Sequence, residues 1–152
     1  MKISFIKLSP TQNMTILVES EVPREQHASV AMQLMAYEHL HAEQVGFVEP
    51  PQNPAAQARL QMMGGEFCGN ATMTLGALLA WKEALRPGEE QCFPLEVSGA
   101  DGLVDCVVQA RSSPEVFRCT VDMPLPLCVE SVERYYEERS YDVTDVYLPG
   151  IT

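Results

Sequence analysis

The chain is poor in cations: 10 lysines and arginines stand against 21 aspartates and glutamates in 152 residues, a formal net charge of -11. Nucleic acids and anionic membranes both reward clustered Lys and Arg, so neither is expected as a partner. No apolar run approaches the roughly 18 residues of a membrane helix. The opening Met1-Lys2-Ile3-Ser4-Phe5-Ile6-Lys7 also lacks the apolar stretch of a signal peptide, and a cytoplasmic protein is expected. Cysteines occur in odd number, at 68, 92, 106, 119 and 128, without Cys-x-x-Cys spacing. That pattern suits neither a disulfide framework nor a zinc ribbon, and most of the five read as reduced, buried thiols. There are three histidines. His39 and His41, two apart, cannot share a helix face, and no ligand cluster accompanies them, so no metal site is expected. They read as surface residues near a helix end. What remains, at 46% hydrophobic and 20% charged, is the composition of one folded domain with a real core. Its partner is expected to be a small molecule or another protein.

Alternation through Ile3, Phe5, Ile6 and Leu8 suits a strand over Met1 to Leu8, and Met14 to Glu19 is a second strand. Pro10-Thr11-Gln12-Asn13 joins the two as a hairpin. From Arg24 to His41 the residues Ala28, Ala31, Met32, Met35 and Leu40 recur at helical spacing, opposite Glu25, Gln33, Glu38 and His39. Val45 to Glu49 and Ala58 to Met63 read as strands around the rigid Pro50-Pro51-Gln52-Asn53-Pro54 turn. Ala71 to Leu85 is apolar on nearly every face and belongs inside a core, ended by Arg86-Pro87-Gly88. A meander follows: Phe93 to Ser98, a Gly99-Ala100-Asp101-Gly102 turn, Leu103 to Ala110, a turn at Ser112-Ser113-Pro114, and Val116 to Met123. Beyond Pro124-Leu125-Pro126, Val129 to Leu148 has ambiguous periodicity, although Tyr141 to Leu148 alternates as a strand does. One buried helix, one amphipathic helix and about eight strands give an α+β class, a curled antiparallel sheet around a central buried helix. The whole chain, 1–152, reads as a single lobe.

The most unusual stretch is Gly64-Gly65-Glu66-Phe67-Cys68-Gly69-Asn70, directly ahead of the buried helix. A helix start offers unpaired N–H groups and a positive dipole end, which favour a thiolate and bind a carboxylate. Gly69 permits close backbone approach, and Asn70 adds an amide at the same place. A lone cysteine at a helix start is often an inert buried thiol; the surrounding glycines tilt this one toward chemistry. A phosphate loop is excluded, because Gly64 is followed at the required distance by Gly69-Asn70-Ala71 without lysine. A cysteine hydrolase would take its base from His27, His39 or His41, but no local hydrolase signature surrounds Cys68.

The block Gly64 to Ala71 resembles the first-lobe cysteine motif of the diaminopimelate epimerase superfamily, the cofactor-independent amino-acid racemases and epimerases. Asn13-Met14 with its strand resembles that family's asparagine loop, and Gln44 through Val48-Glu49-Pro50-Pro51 its glutamine-strand-proline segment. Leu95-Glu96-Val97-Ser98 with the turn at 99–102 also fits. The resemblance implies two pseudo-symmetric lobes with the substrate between them. One thiol removes the α-proton and the opposite one returns a proton to the other face, without any cofactor. Carried over residue by residue, Cys68 is the first-lobe acid/base, Gly69 and Asn70 hold the α-carboxylate, and Asn13 and Gln44 contact the substrate. The short Met62-Met63-Gly64-Gly65-Glu66 approach, Ala71-Thr72 after the motif, and Gln12-Asn13-Met14-Thr15 resemble most closely the histidine racemase branch linked to opine-type metallophore synthesis, with diaminopimelate epimerase itself second. Cys92, Cys106, Cys119 and Cys128 have no Gly-Asn neighbours and are not expected to be the second acid/base. A second lobe is therefore expected outside these residues, or a second copy placing two Cys68 thiols face to face. A non-catalytic half that binds an amino acid or a partner subunit is the alternative.

Overall fold

The computed structural model describes residues 2–113, 115–123 and 125–147. Met1, Pro114, Pro124 and Leu148, on which parts of the strand and turn expectations fall, lie outside them. The chain separates into two compact units, Met1–Asp122 and Met123–Thr152.

The first unit holds strands β1 (Phe5–Leu8), β2 (Thr15–Val18), β3 (Gln44–Glu49), β4 (Ala58–Met62), β5 (Glu90–Val97), β6 (Leu103–Ala110) and β7 (Phe117–Val121), with helices α1 (Arg24–Met35) and α2 (Gly69–Lys82). The seven strands form one sheet in chain order, β1 to β7. The β1–β2 hairpin and the β5–β6–β7 meander are antiparallel as expected. The sheet as a whole is mixed, because β2–β3 and β4–β5 pair in parallel. A parallel pair needs a crossover, and the two helices are those crossovers, α1 between β2 and β3 and α2 between β4 and β5.

Alternation along the strands sends neighbouring residues to opposite faces. Ile16, Val18, Val45 and Phe47 pack with Val30, Ala31 and Leu34 of α1. Leu17, Leu60, Met62, Phe93, Leu95, Cys106 and Val108 pack with Ala71, Leu75 and Leu78 of α2. β2 is therefore buried on both faces, as parallel strands are. The fully enclosed Leu75 and Leu78 each contribute about 2 kcal/mol of apolar burial. The sheet wraps α2, which touches β2 through β7. The helix is not enclosed all round: Trp81 is 52% exposed.

α1 is shorter than its periodicity suggests and buries a shifted stripe that keeps Ala31, with Met35 and Leu40 packed against it. Its chain turns extended at Ala36 (ψ 138°), and the buried residues are His27, Val30, Ala31 and Leu34, while Ala28 and Met32 face solvent. The His27 ring lies on the buried side and stacks on Phe47, with centroids 3.6 Å apart and planes 7° from parallel. Its Nε2 lies 2.9 Å from the Val22 carbonyl oxygen.

The second unit is a hairpin of β8 (Cys128–Tyr136) and β9 (Arg139–Tyr147), in register at Val132 and Val143. The two turn residues, Glu137 and Glu138, both have positive φ (47° and 60°), the geometry that matches strand twist in a two-residue loop. Arg134 pairs with Asp145 across the strands. Among the described residues no helix is long and apolar enough to cross a membrane.

Candidate active site

The strand directions bring distant segments to one end of the sheet. β2 and β3 begin there, at Thr15 opposite Gln44, while β4 and β5 end there, at Met62 and Val97. α2 also begins there, at Gly69.

Cys68 caps α2. Its backbone is extended (φ -136°, ψ 106°), and its sulfur accepts the Ala71 N–H at 3.4 Å. The Cys68 carbonyl accepts both the Thr72 N–H at 2.9 Å and the Thr72 hydroxyl at 2.8 Å. The first residues of a helix have no intrahelical acceptor for their N–H groups, so Gly69 and Asn70 carry the donors left to point outward at the positive end of the dipole. Asn70 gives its own carbonyl to the Thr74 hydroxyl, at 2.7 Å.

The loop ahead of Cys68 is held from beneath. Gly65 (φ +78°) closes a turn by donating its N–H to the Met62 carbonyl at 3.1 Å. The Ser98 hydroxyl accepts the Met62 N–H at 3.0 Å and donates to the Glu66 carbonyl at 2.8 Å. Gly99 (φ +73°) lies directly against this loop: a Cβ there would overlap the Phe67 nitrogen and sit 2.8 Å from the Glu66 carbonyl carbon.

The Cys68 thiol donates to Gln44 Oε1 at 3.0 Å. Gln44 is the first residue of β3, and the Thr15 hydroxyl beside it lies 3.5 Å from that same oxygen and 3.3 Å from the Asn13 carbonyl oxygen. Asn13 Nδ2 donates to Glu43 Oε2 at 2.7 Å, and the Met14 N–H reaches the other Glu43 oxygen at 3.4 Å. Asn13 Oδ1, enclosed by protein, has no partner among the described residues. The structure thus brings Cys68, Gln44 and Asn13 together around the Thr15 hydroxyl, whose one proton can go to either Gln44 Oε1 or the Asn13 carbonyl, with Gly69 and Asn70 beside the thiol. Thr15 and Glu43, which complete that cluster, were not expected as site residues, although Thr15 closes the Gln12-Asn13-Met14-Thr15 string. Their signal was weak, since each merely neighbours a motif residue.

The other cysteines lie elsewhere and differ from expectation in burial. Only Cys106 is fully buried; Cys92 and Cys128 are exposed, Cys68 and Cys119 half-buried, and all five are free thiols. Cys106 packs on Gly76, eight residues along α2 from Cys68, about 12 Å of helix rise. Its hydrogen bond with Cys119, together with burial, pushes its thiol up. The Cys119 thiol donates to the Met73 carbonyl at 3.6 Å. His27 belongs to the α1 core, and His39 and His41 lie exposed beyond the end of α1. A cavity of about 700 Å³ between the Ile6–Thr11 stretch, α2 and Phe117–Cys119 is lined by Met73, Ala77 and Trp81 and does not include Cys68.

These features are those of a lobe from the amino-acid racemase and epimerase fold. A hydroxyproline epimerase from Agrobacterium vitis, with bound trans-4-hydroxy-L-proline, superposes at TM-score 0.63 and 15% identity over 93% of this chain and 48% of that one. A probable proline racemase from Agrobacterium radiobacter K84, with bound carbonate, does so at TM-score 0.64 and 15% identity over 94% and 48%. Residues 2–152 match the family described as the histidine racemase CntK N-terminal domain, and the chain belongs to that family. Among curated relatives, a histidine racemase of Staphylococcus aureus (strain Mu50) is 45% identical over 107 residues, 70% of this chain and 38% of that protein. A histidine racemase of Fusobacterium nucleatum subsp. nucleatum is 30% identical over 131 residues, 86% and 47%. The chain thus spans less than half the length of the curated relatives it matches.

Proposed function

We propose that this chain is the amino-terminal catalytic half of a cofactor-independent amino-acid racemase, with histidine the first substrate to test, and that Cys68 is its acid/base. The observation that carries this reading is the placement of the Cys68 sulfur at the start of α2, between the Ala71 N–H and the Gln44 amide. An amino-acid α-proton is very weakly acidic, so a base that removes it needs the developing carbanion stabilised by positioned donors and shielded from water. The Gly69 and Asn70 N–H groups at the helix start are suited to the α-carboxylate, which brings Cα toward the sulfur. Negative charge that spreads from Cα into that carboxylate then falls on the same donors. Asn13 and Gln44 are the remaining substrate contacts in this reading.

One thiol addresses one face of Cα. Inversion requires a second acid/base on the opposite face, which we assign to a second lobe beyond these residues. Relatives more than twice the length of the matched segment support that assignment.

The test is deuterium incorporation at Cα in D₂O across a panel of amino acids, with the protein that contains both lobes. Exchange with both L- and D-histidine is expected in the parent protein; Cys68→Ala is expected to lose inversion in both directions, and to lose exchange with the enantiomer whose α-proton faces Cys68. Amino-acid binding of unchanged affinity in Cys68→Ala, with no exchange in the parent protein, would identify a non-catalytic binding half instead. A solution mass showing two copies of this chain, active together, would place the second thiol on a second Cys68.

A further inference from the structure

A thiol that carries protons must be accommodated in both its protonated and its ionised state. The group 3.0 Å from Cys68 Sγ is an amide oxygen, which suits S–H and repels a thiolate. Resting on the acid/base reading of Cys68, we propose that Thr15 is a positioning residue that lets the Gln44 amide turn over as the thiol ionises.

The argument begins with what each group can do. A primary amide has an acceptor on one side and two donors on the other, and a hydroxyl both donates and accepts. With the thiol protonated, Gln44 Oε1 accepts from Cys68, and the Thr15 hydroxyl, 3.5 Å away, is the other donor within reach of that oxygen. When the thiol ionises, half a turn of the amide puts Nε2 where Oε1 was. One of its N–H bonds then points to the thiolate. The other needs an acceptor, and Thr15 Oγ1 is in place to be one, provided its own proton has somewhere to go. The Asn13 carbonyl, 3.3 Å from Thr15 Oγ1, takes it. The hydroxyl thus swings between two acceptors as the amide turns, so the sulfur, the amide atom facing it and the hydroxyl proton each keep a partner in either state. Thr15 is fully buried, so water does not substitute for it, and an unmet amide N–H in such a place is costly.

No cation competes for the role. The segments packed around Cys68, residues 13–15, 43–44, 63–72 and 98–102, contribute three charged side chains, the carboxylates Glu43, Glu66 and Asp101. All three oppose a thiolate, and none is altered by the substitutions below.

The test is the pH dependence of alkylation of the 152-residue chain by iodoacetamide, read at the Cys68 peptide by mass spectrometry. Sulfur forms a bond to the acetamide carbon, iodide leaves, and the thiol proton passes to water. Thr15→Val keeps the shape and removes the hydroxyl. It is expected to move the reaction's midpoint to higher pH and slow it about fivefold at neutral pH, the worth of one net hydrogen bond. Thr15→Ser is expected to stay within about twofold of the parent. Gln44→Leu is expected to slow the reaction as well, and adding Thr15→Val to it to change nothing further. An unchanged profile in Thr15→Val overturns the proposal, as does a shift in Thr15→Ser equal to that in Thr15→Val, or a full Thr15 effect that persists without Gln44. Should Thr15→Val fail to fold, an unchanged profile in Gln44→Leu overturns it. No substrate is involved, so a protein that shows no Cα exchange while following this pattern refutes the racemase reading alone.

Discussion

Gly99 tests whether the loop that presents Cys68 is held by backbone packing, and the chain provides its own controls. Replacing Gly99 by alanine introduces two costs. The first is conformational, since φ of +73° is a region that L-residues rarely adopt, at about 1 to 2 kcal/mol. The second is steric: the new Cβ would lie 2.8 Å from the Glu66 carbonyl carbon, against 3.4 Å where ordinary contact begins, so the loop must retreat by at least 0.6 Å. Overpacking of this kind costs about 1 to 3 kcal/mol. Gly88→Ala isolates the first cost, because φ is +88° and nothing lies within 4 Å. Gly102→Ala incurs neither and gains up to about 1 kcal/mol from a stiffer unfolded chain. The expected order of melting temperature is Gly102→Ala at or above the parent, Gly88→Ala a few degrees below it, and Gly99→Ala lowest, about 8 to 20 °C below at 2 to 5 kcal/mol. The loop displacement should also show at the site, because a misplacement near 1 Å can cost about 100-fold in a catalytic step. Thermal unfolding followed by circular dichroism, and Cα exchange in the two-lobe protein, measure the two effects. If Gly99→Ala melts with Gly88→Ala and exchanges at the parent rate, the loop is not held by this contact and the reasoning fails.

Gly76→Ala should destabilise through its Cβ, which would meet Cys106 Sγ at 2.5 Å. Removing that sulfur with Cys106→Ala should recover a large part of the loss, and additive effects in chemical denaturation would refute direct contact. Glu96 accepts the Asn53 N–H at 3.1 Å and the Gln52 N–H at 2.7 Å and pairs with Arg59 at 2.5 Å. The Asn53 and Gln52 amides, and then the Arg59 and Arg24 charges, hold its carboxyl below the usual range. Its contribution is present above the unfolded carboxylate value of about 4.3 and is lost as pH falls through the lowered folded value. Glu96→Gln should therefore flatten the acid limb of the stability curve, and an unchanged limb in urea titrations would count against the anchor. Leu75→Ala, in a fully buried position, should cost about 2 to 5 kcal/mol; a loss under 1 kcal/mol by the same titration would show that α2 is not the core.

Strand positions were legible because turn chemistry and alternation are local. Pro10, the 50–54 segment and the Gly99 turn each fall where strands stop, and Leu103 to Ala110 alternates cleanly. Pairing was less legible. Whether Val45 to Glu49 lies parallel or antiparallel to its neighbour depends on the crossover between them, and period-two alternation is the same in both cases. The α1 stripe was partly misplaced for a related reason. Sequence hydrophobicity placed Ala28 and Met32 inward, where the structure exposes them, while Ala31, Met35 and Leu40 do pack inward and His27, stacked on Phe47 from another strand, joins Val30 and Leu34 on the buried side. The exposed Cys92 likewise sits on the outward side of β5, a distinction that composition does not reveal. The ambiguous segment after Val129 became a hairpin because Glu137 and Glu138 turn with positive φ, which residues without a glycine signal do not advertise.

The site divides along the same line. Cys68, Gly69 and Asn70 are consecutive, so their shared place at a helix start can be read from one short string. Asn13 and Gln44 are 31 residues apart, and only the parallel register of Thr15 with Gln44 brings their segments together at the thiol. That register depends on the α1 crossover, and it puts Thr15 beside the amide facing Cys68. Parallel pairing at β2–β3 sets both strand starts at the same end, while β4 and β5 finish there and α2 starts there. The mixed sheet therefore does more than enclose α2: it collects one thiol, one amide chain and one helix start onto a single end.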